Sequence, residues 1–193
     1  MRAVPYDSAA TRARLLDAAY DEFSARGLAG ARVDRIAAEA RANKQAIYVY
    51  FGSKDGLFDA MLAVRMSSLA DAAPFTPDDL PAYAGALFDA LQDNPDILRL
   101  TQWAWLERAD VTPAEIESHE AKAKAIAAAS PAALSETRAM DIFILVVGLC
   151  TAWTTTAPAL RAAGVSDPAA RQAAHRAAVV AATAAVVDRL SAD

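Results

Sequence analysis

From Thr11 to Arg26, apolar side chains return at Leu15, Leu16, Ala18, Ala19, Tyr20 and Phe23, a stripe at helical spacing wide enough to support further helices. Two shorter helical segments follow. The first carries Val33, Ile36 and Ala37 on one side. The second is the seven-residue stretch Lys44 to Tyr50, opened by Asn43, whose side-chain oxygen can accept from unpaired first-turn amides. Glu39-Ala40-Arg41-Ala42 joins the two, and Ser53 opens a fourth helix from Lys54 to about Ala72. Further helices are predicted over about 78–92, 96–108, 113–129 (with Pro113 at its first position), 132–156 and 168–190, the last opened by Asp167-Pro168. No strand pattern or internal repeat competes. The expected fold is all-α with about nine helices, divided into a domain over 1–55 and a helical domain over 56–193.

Two helices joined by a tight turn, the second basic and aromatic, is the arrangement that lays a recognition helix in the DNA major groove. Lysine placement sharpens this. Asn43-Lys44 and Ser53-Lys54 each put a cation directly after an N-cap, where the partial positive charge of the helix end disfavours it by roughly 0.3–1 kcal/mol. A phosphate docked on the same amides removes that penalty. Either lysine alone could equally swing into solvent. The pair, bracketing Tyr48 and Tyr50, favours phosphate contact.

The run from Thr11 to about Leu62 resembles the N-terminal domain of the TetR family of transcriptional repressors. The resemblance rests on Arg12, Leu15, Ala18, Phe23 and Gly27, then on Val33, Ile36, Ala37, Ala40, Asn43, Lys44, Ile47, Tyr48, Tyr50 and Phe51, and finally on Ser53, Lys54, Leu57 and Phe58. It covers about a quarter of the chain without gaps. It implies a ligand-responsive repressor that binds double-stranded operator DNA as a homodimer. Lys44 and Gln45 are then the candidates for base edges. Tyr48, Tyr50 and Lys54 would hold phosphates, Arg12 or Arg32 would make outer contacts, and Ala46 and Val49 complete the face. Four positions depart from the family pattern. Arg41 stands where a turn glycine is usual, Ala31 where a Ser/Thr cap is usual, Ala46 where Thr is frequent, and Val49 where a larger or polar residue is common.

Net charge is −5, which suits a nucleic-acid partner only once it is divided. Residues 1–55 hold nine Lys/Arg against seven Asp/Glu, giving +2; residues 56–193 hold ten against seventeen, giving −7. The cationic excess lies in the reading head, where counterion release needs it. With 55% hydrophobic residues the chain has ample material for a core. The single Cys150 can form no internal disulfide and no signal peptide opens the chain, so a cytoplasmic location is expected.

Ile142 to Leu160 has nineteen positions without a charge, yet its apolar part ends near Trp153, giving roughly 18 Å at 1.5 Å per residue against a bilayer core of roughly 30 Å. A buried helix is expected, with no membrane partner. The last predicted helix presents Ala173, Ala177, Val180, Ala181, Ala184 and Val187 at helical spacing. Such a face could pack within the chain. The family resemblance directs the last two helices to a four-helix interface between two subunits.

Phe88, Trp103, Met140, Phe143 and Val147 are candidate walls of a pocket for a small apolar or aromatic effector, with Thr101, Gln102, His119, Asp141 and Thr151 as polar anchors. Aromatic residues on helices also serve as plain core. Glu115 and His119 share a helix face but lack a third metal ligand. No phosphate loop, nucleophile elbow or paired-carboxylate motif appears, so neither catalysis nor a cofactor is expected.

Overall fold

Helix-favouring composition gives ten α-helices among the described residues of this computed structural model, which are residues 8–107, 113–131, 134–164 and 166–192. They are α1 (Ser8–Gly30), α2 (Val33–Glu39), α3 (Lys44–Phe51), α4 (Lys54–Ala72), α5 (Leu80–Asp93), α6 (Pro95–Glu107), α7 (Pro113–Ala129), α8 (Glu136–Thr155), α9 (Pro158–Ala162) and α10 (Pro168–Ser191). The all-α expectation holds, with one more helix than predicted. Pro158, at the first turn of α9, restarts the chain as a helix of five residues after α8 ends. Asn43, Ser135 and Asp167 cap α3, α8 and α10 with side-chain oxygens, and Asp79 caps α5 in the same way. The predicted helix end at Arg108 lies outside the described residues.

The described residues form two compact units, and the first extends past the expected boundary at residue 55. It comprises the chain up to Ser68 together with the segment from Asp96 that forms α6. Its core is built from Leu15, Phe23, Ile36, Ile47, Leu57, Phe58, Met61 and Leu100, all fully buried. Phe23 and Phe58 meet edge to face at 5.0 Å. Interlocked aromatic and branched side chains at crystal-like density give the short helices of this unit a support that does not yield.

The second unit is formed by the chain from Leu69 to Pro95 and by α7 to α10. Here α5 packs on α8 and α10, and α8 also packs on α7 and α10. By length and composition α8 could cross a membrane. The expected buried helix is only partly so: α8 buries Ala139, Ile142, Phe143, Val146 and Cys150 within the unit and leaves Ile144 and Leu145 exposed. Burial pushes the Cys150 thiol up to about 12, so it stays protonated and unreactive.

Candidate functional site

α2 is the weakest element of the first unit by sequence. It has seven residues, and its N-cap, Arg32, makes no side-chain capping bond. Its caps come instead from α1. The Glu22 carboxylate accepts from the Arg32 amide at 3.0 Å and from Arg35 Nε at 2.8 Å, with Arg35 Nη2 closing on the same oxygen. Eight residues earlier on α1, Arg14 donates from Nε to Ala40 O at 3.1 Å, at the far end of α2. An anion thus meets the positive end of the short helix and a cation the negative end, which is the favourable sense at both. Arg35 and the Arg32 amide hold the Glu22 carboxyl below the usual carboxylate range. The cap expected at Ala31 falls instead on Arg32, and Ala31 is buried in the core, so the capping that Arg32 does not supply from its own side chain comes from another helix.

The turn after α2 explains the glycine departure. Arg41 adopts φ +50°, the left-handed region glycine usually supplies. Its amide donates to Ala38 O and the Ala42 amide to Ala37 O, the paired bonds of a Schellman ending. The chain keeps the turn geometry and carries the steric cost of a side chain there. It leaves this turn at Asn43, whose side chain accepts from the Gln45 amide at 2.9 Å.

On α3 the buried and exposed sides separate cleanly. Ile47 is fully buried and Ala46 is 8% exposed, whereas Tyr48 is 41% and Val49 73% exposed. Lys44 and Gln45 are also exposed, so Lys44/Tyr48 and Gln45/Val49 form two adjacent i, i+4 rows on one solvent face. Ala46 does not belong to that face: one position past Gln45, it turns into the core with Ile47. Tyr50 is half-buried against the core, its ring 6.1 Å from that of Phe51. Arg32 is exposed, and Arg12 holds its guanidinium 5.3 Å from the Phe51 ring centre.

The two lysines differ. Lys44 Nζ pairs with Asp34 at 2.8 Å, and that hydrogen bond raises the Lys44 pKa. Lys54 Nζ donates to Leu28 O at 2.7 Å and Ala31 O at 3.5 Å. Its ammonium is held by carbonyls at the exit of α1. Sequence reasoning also missed Gly56. A Cβ there would lie 2.1 Å from Phe51 O, so only glycine lets α4 start so close to the end of α3, with its amide on Ser53 Oγ at 2.9 Å. A glycine one turn inside a capped helix was the available signal.

The five candidate ligand residues are divided between the two units. Trp103 belongs to the first unit, its ring about 3.6 Å from the Cβ position of Gly27, where φ is +69° and glycine is required for conformation. Phe88 and Phe143 are buried core, and Phe143 meets the Phe75 and His119 rings at 5.8 and 6.1 Å. Met140 and Val147 are half-buried. Of the polar anchors, Thr101 and Thr151 bond carbonyls of their own helices, at Leu98 and Val147. A cleft of about 110 Å³ in the second unit is lined instead by residues including Leu80, Ile126, Ser130, Leu134, Ile142 and Val187. Among the described residues no cluster of three metal ligands occurs.

Residues 15–61 match the description "Bacterial regulatory proteins, tetR family", and residues 79–184 match "Tetracyclin repressor-like, C-terminal domain". The chain belongs to the TetR family. It is similar to a transcriptional regulator structure, SCO4942 from Streptomyces coelicolor, at 35% identity and TM-score 0.74, covering 88% of this chain and 96% of that one. The HTH-type transcriptional repressor SCO4008 of the same species is 46% identical over 123 residues. That match spans 63% of this chain and 64% of the relative's length. The HTH-type transcriptional repressor NicS of Pseudomonas putida is 44% identical over 52 residues, 27% of this chain and 24% of the relative.

Proposed function

We propose that this protein is a cytoplasmic one-component transcriptional repressor. As a homodimer it places two α3 helices in successive major grooves of a palindromic operator, and a small apolar or aromatic effector releases it. The observation that carries the reading is the solvent face of α3, where Lys44, Gln45, Tyr48 and Val49 stand out from a helix otherwise seated on a rigid core. Lys44 and Gln45 reach base edges from the first turn. Tyr48 and Val49 line the same groove, with Arg32 and Arg12 outside it.

Dimerisation is supported by the outer faces of α8 and α10. Ile144 is 59% and Leu145 46% exposed, and an added Cβ at Gly148 would meet nothing within 4 Å. On α10, Ala173, Ala177 and Ala181 are exposed, while Val180 approaches Gly85 of α5 and Val187 lines the small cleft. The face available to a second subunit is therefore the alanine row, without the valines. The effector acts through unequal affinity for the two dimer geometries.

Selection of duplexes from a random pool tests this reading: recovery of an inverted repeat supports it. A second reading, a TetR-like binding protein without specific DNA recognition, is favoured by one observation, the withdrawal of both lysines onto Asp34 and backbone carbonyls. Absence of any enrichment at low salt would select it.

A further inference from the structure

Trp153, near the end of α8, is the centre of a cationic group in the second unit. Arg161 of α9 holds its guanidinium carbon 5.8 Å from the Trp153 ring centre, and Arg171 of α10 holds its own at 5.5 Å. The His175 ring lies 4.9 Å from that of Trp153 and 5.9 Å from that of Phe88. The neighbouring Arg176 is fully matched, its Nε donating to both oxygens of Asp89 at 2.7 and 2.8 Å. Arg161 and Arg171 are not: among the described residues neither forms an ion pair with a carboxylate. Arg161 Nε and His175 Nε2 are moreover buried without a hydrogen-bond partner among the described residues.

Buried polar atoms in folded proteins are nearly always paired, and an unpaired charged group costs more than a neutral one. Contact with the Trp153 face offsets part of this for the guanidinium charge. It does not engage N–H groups, which lie in the guanidinium plane and call for an acceptor with lone pairs. A carboxylate supplies two such oxygens in the geometry an arginine fork matches. The ring surfaces of Trp153 and His175, backed by the buried Phe88 and with Leu160 of α9 68% exposed, offer apolar area that a fully hydrated inorganic ion would leave unused.

We propose that Arg161, Arg171 and His175, grouped on Trp153, form a binding site for a small aromatic carboxylate. The carboxylate accepts from the guanidinium N–H groups and from the imidazole, and the ligand ring extends the aromatic cluster. The site shares no residue with the 110 Å³ cleft. It stands independently of the repressor reading, because it is tested without DNA. Of the charged groups on the helices that meet at Trp153, Arg171 acts on His175 directly, Arg161 shares the Trp153 ring with it, and its sequence neighbour Arg176 is matched by Asp89. Burial, and then Arg171, hold the His175 pKa below its ordinary value. A bound anion favours the protonated imidazole, so binding raises the His175 titration midpoint and tightens as pH falls.

The chain has two histidines, so their imidazole resonances separate the site from His119 in the full-length protein. Benzoate should shift the His175 resonance saturably and raise its midpoint, while benzyl alcohol and inorganic phosphate at matched ionic strength should do neither. Arg161→Gln and Arg171→Gln should each weaken benzoate binding about tenfold. Arg171 is exposed, so its variant remains interpretable if Arg161→Gln fails to fold. Three results would each overturn the proposal: no saturable response to benzoate, an equal response to phosphate or benzyl alcohol, or unchanged affinity in Arg171→Gln. Dissociation of a dimer by Arg171→Gln, with no benzoate response in the parent protein, would likewise overturn it and assign these cations to a subunit contact.

Discussion

The two units of this chain solve opposite problems. The first is saturated internally: fully buried Leu15, Phe23, Ile47 and Phe58 fill its core, and Glu22, Arg14 and Lys54 occupy helix ends that would otherwise be open. Its solvent side carries the polar and aromatic strip on α3 and, on α6, Trp105 and Leu106, which are 73% and 83% exposed. The second unit leaves apolar side chains outside at Ile144, Leu145 and the alanine row of α10. The polar face of α3 suits the proposed DNA contact, and the apolar outer side of α8 and α10 suits the proposed subunit contact.

The largest test of that contrast is a charge on the apolar surface. Ala177→Glu and Ala181→Glu each bury an unpaired carboxylate if a second subunit covers the row, at a cost of several kcal/mol. Light scattering should then report monomers. Thermally normal dimers in both variants would move the interface elsewhere. Next comes the first unit. Glu22→Ala removes the acceptor of the Arg32 amide and the partner of Arg35, and should cost about 2 kcal/mol of stability. The sign of its pH dependence follows from a carboxyl whose folded pKa is depressed. The stabilisation is complete above the unfolded carboxylate pKa and is lost as pH falls through the folded value. Acid titration of parent and variant, followed by circular dichroism, should show the two stabilities converging at low pH.

Smaller effects separate reading from support. Gln45→Ala should relax preference at one base pair per half-site by roughly 1–2 kcal/mol, leaving non-specific affinity intact. A uniform loss over all operator variants would make Gln45 a positioning residue. Lys54→Ala should cost about 1 kcal/mol of stability while leaving the salt dependence of DNA binding unchanged, because its charge serves carbonyls. A shallower salt slope would return Lys54 to the phosphates. Asp34→Asn should release Lys44 and steepen that slope slightly, the smallest of these effects because the pair is exposed.

Local chemistry made much of this visible in the residues themselves. Asn43, Ser53 and Asp167 announced helix starts because a cap is an interaction between a side chain and amides two or three residues on. The bounds of α4 followed from the same logic. What stayed hidden was contact across sequence. Lys54 reaches back twenty-six positions to Leu28, and no pattern near either residue records it. Trp103 looked like a pocket wall because its helix lies among C-terminal sequence, yet α6 returns to the first unit and the indole covers Gly27. Ala46 was misread for a subtler reason. Family position suggested a DNA-facing residue, whereas the 100° step from Gln45 carries it into the core beside Ile47.

The borrowed caps of α2 have a consequence for how the reading head comes apart. A seven-residue helix without its own capping side chain has too few hydrogen bonds to outlast its neighbours in water. Its two ends are fixed by Glu22 and Arg14, both on α1, so α2 cannot persist once α1 loosens. The amides of Ile36 and Ala37 should therefore exchange with solvent through the same opening event as those of the α1 core, with one common free energy and no separate fraying of the shorter helix.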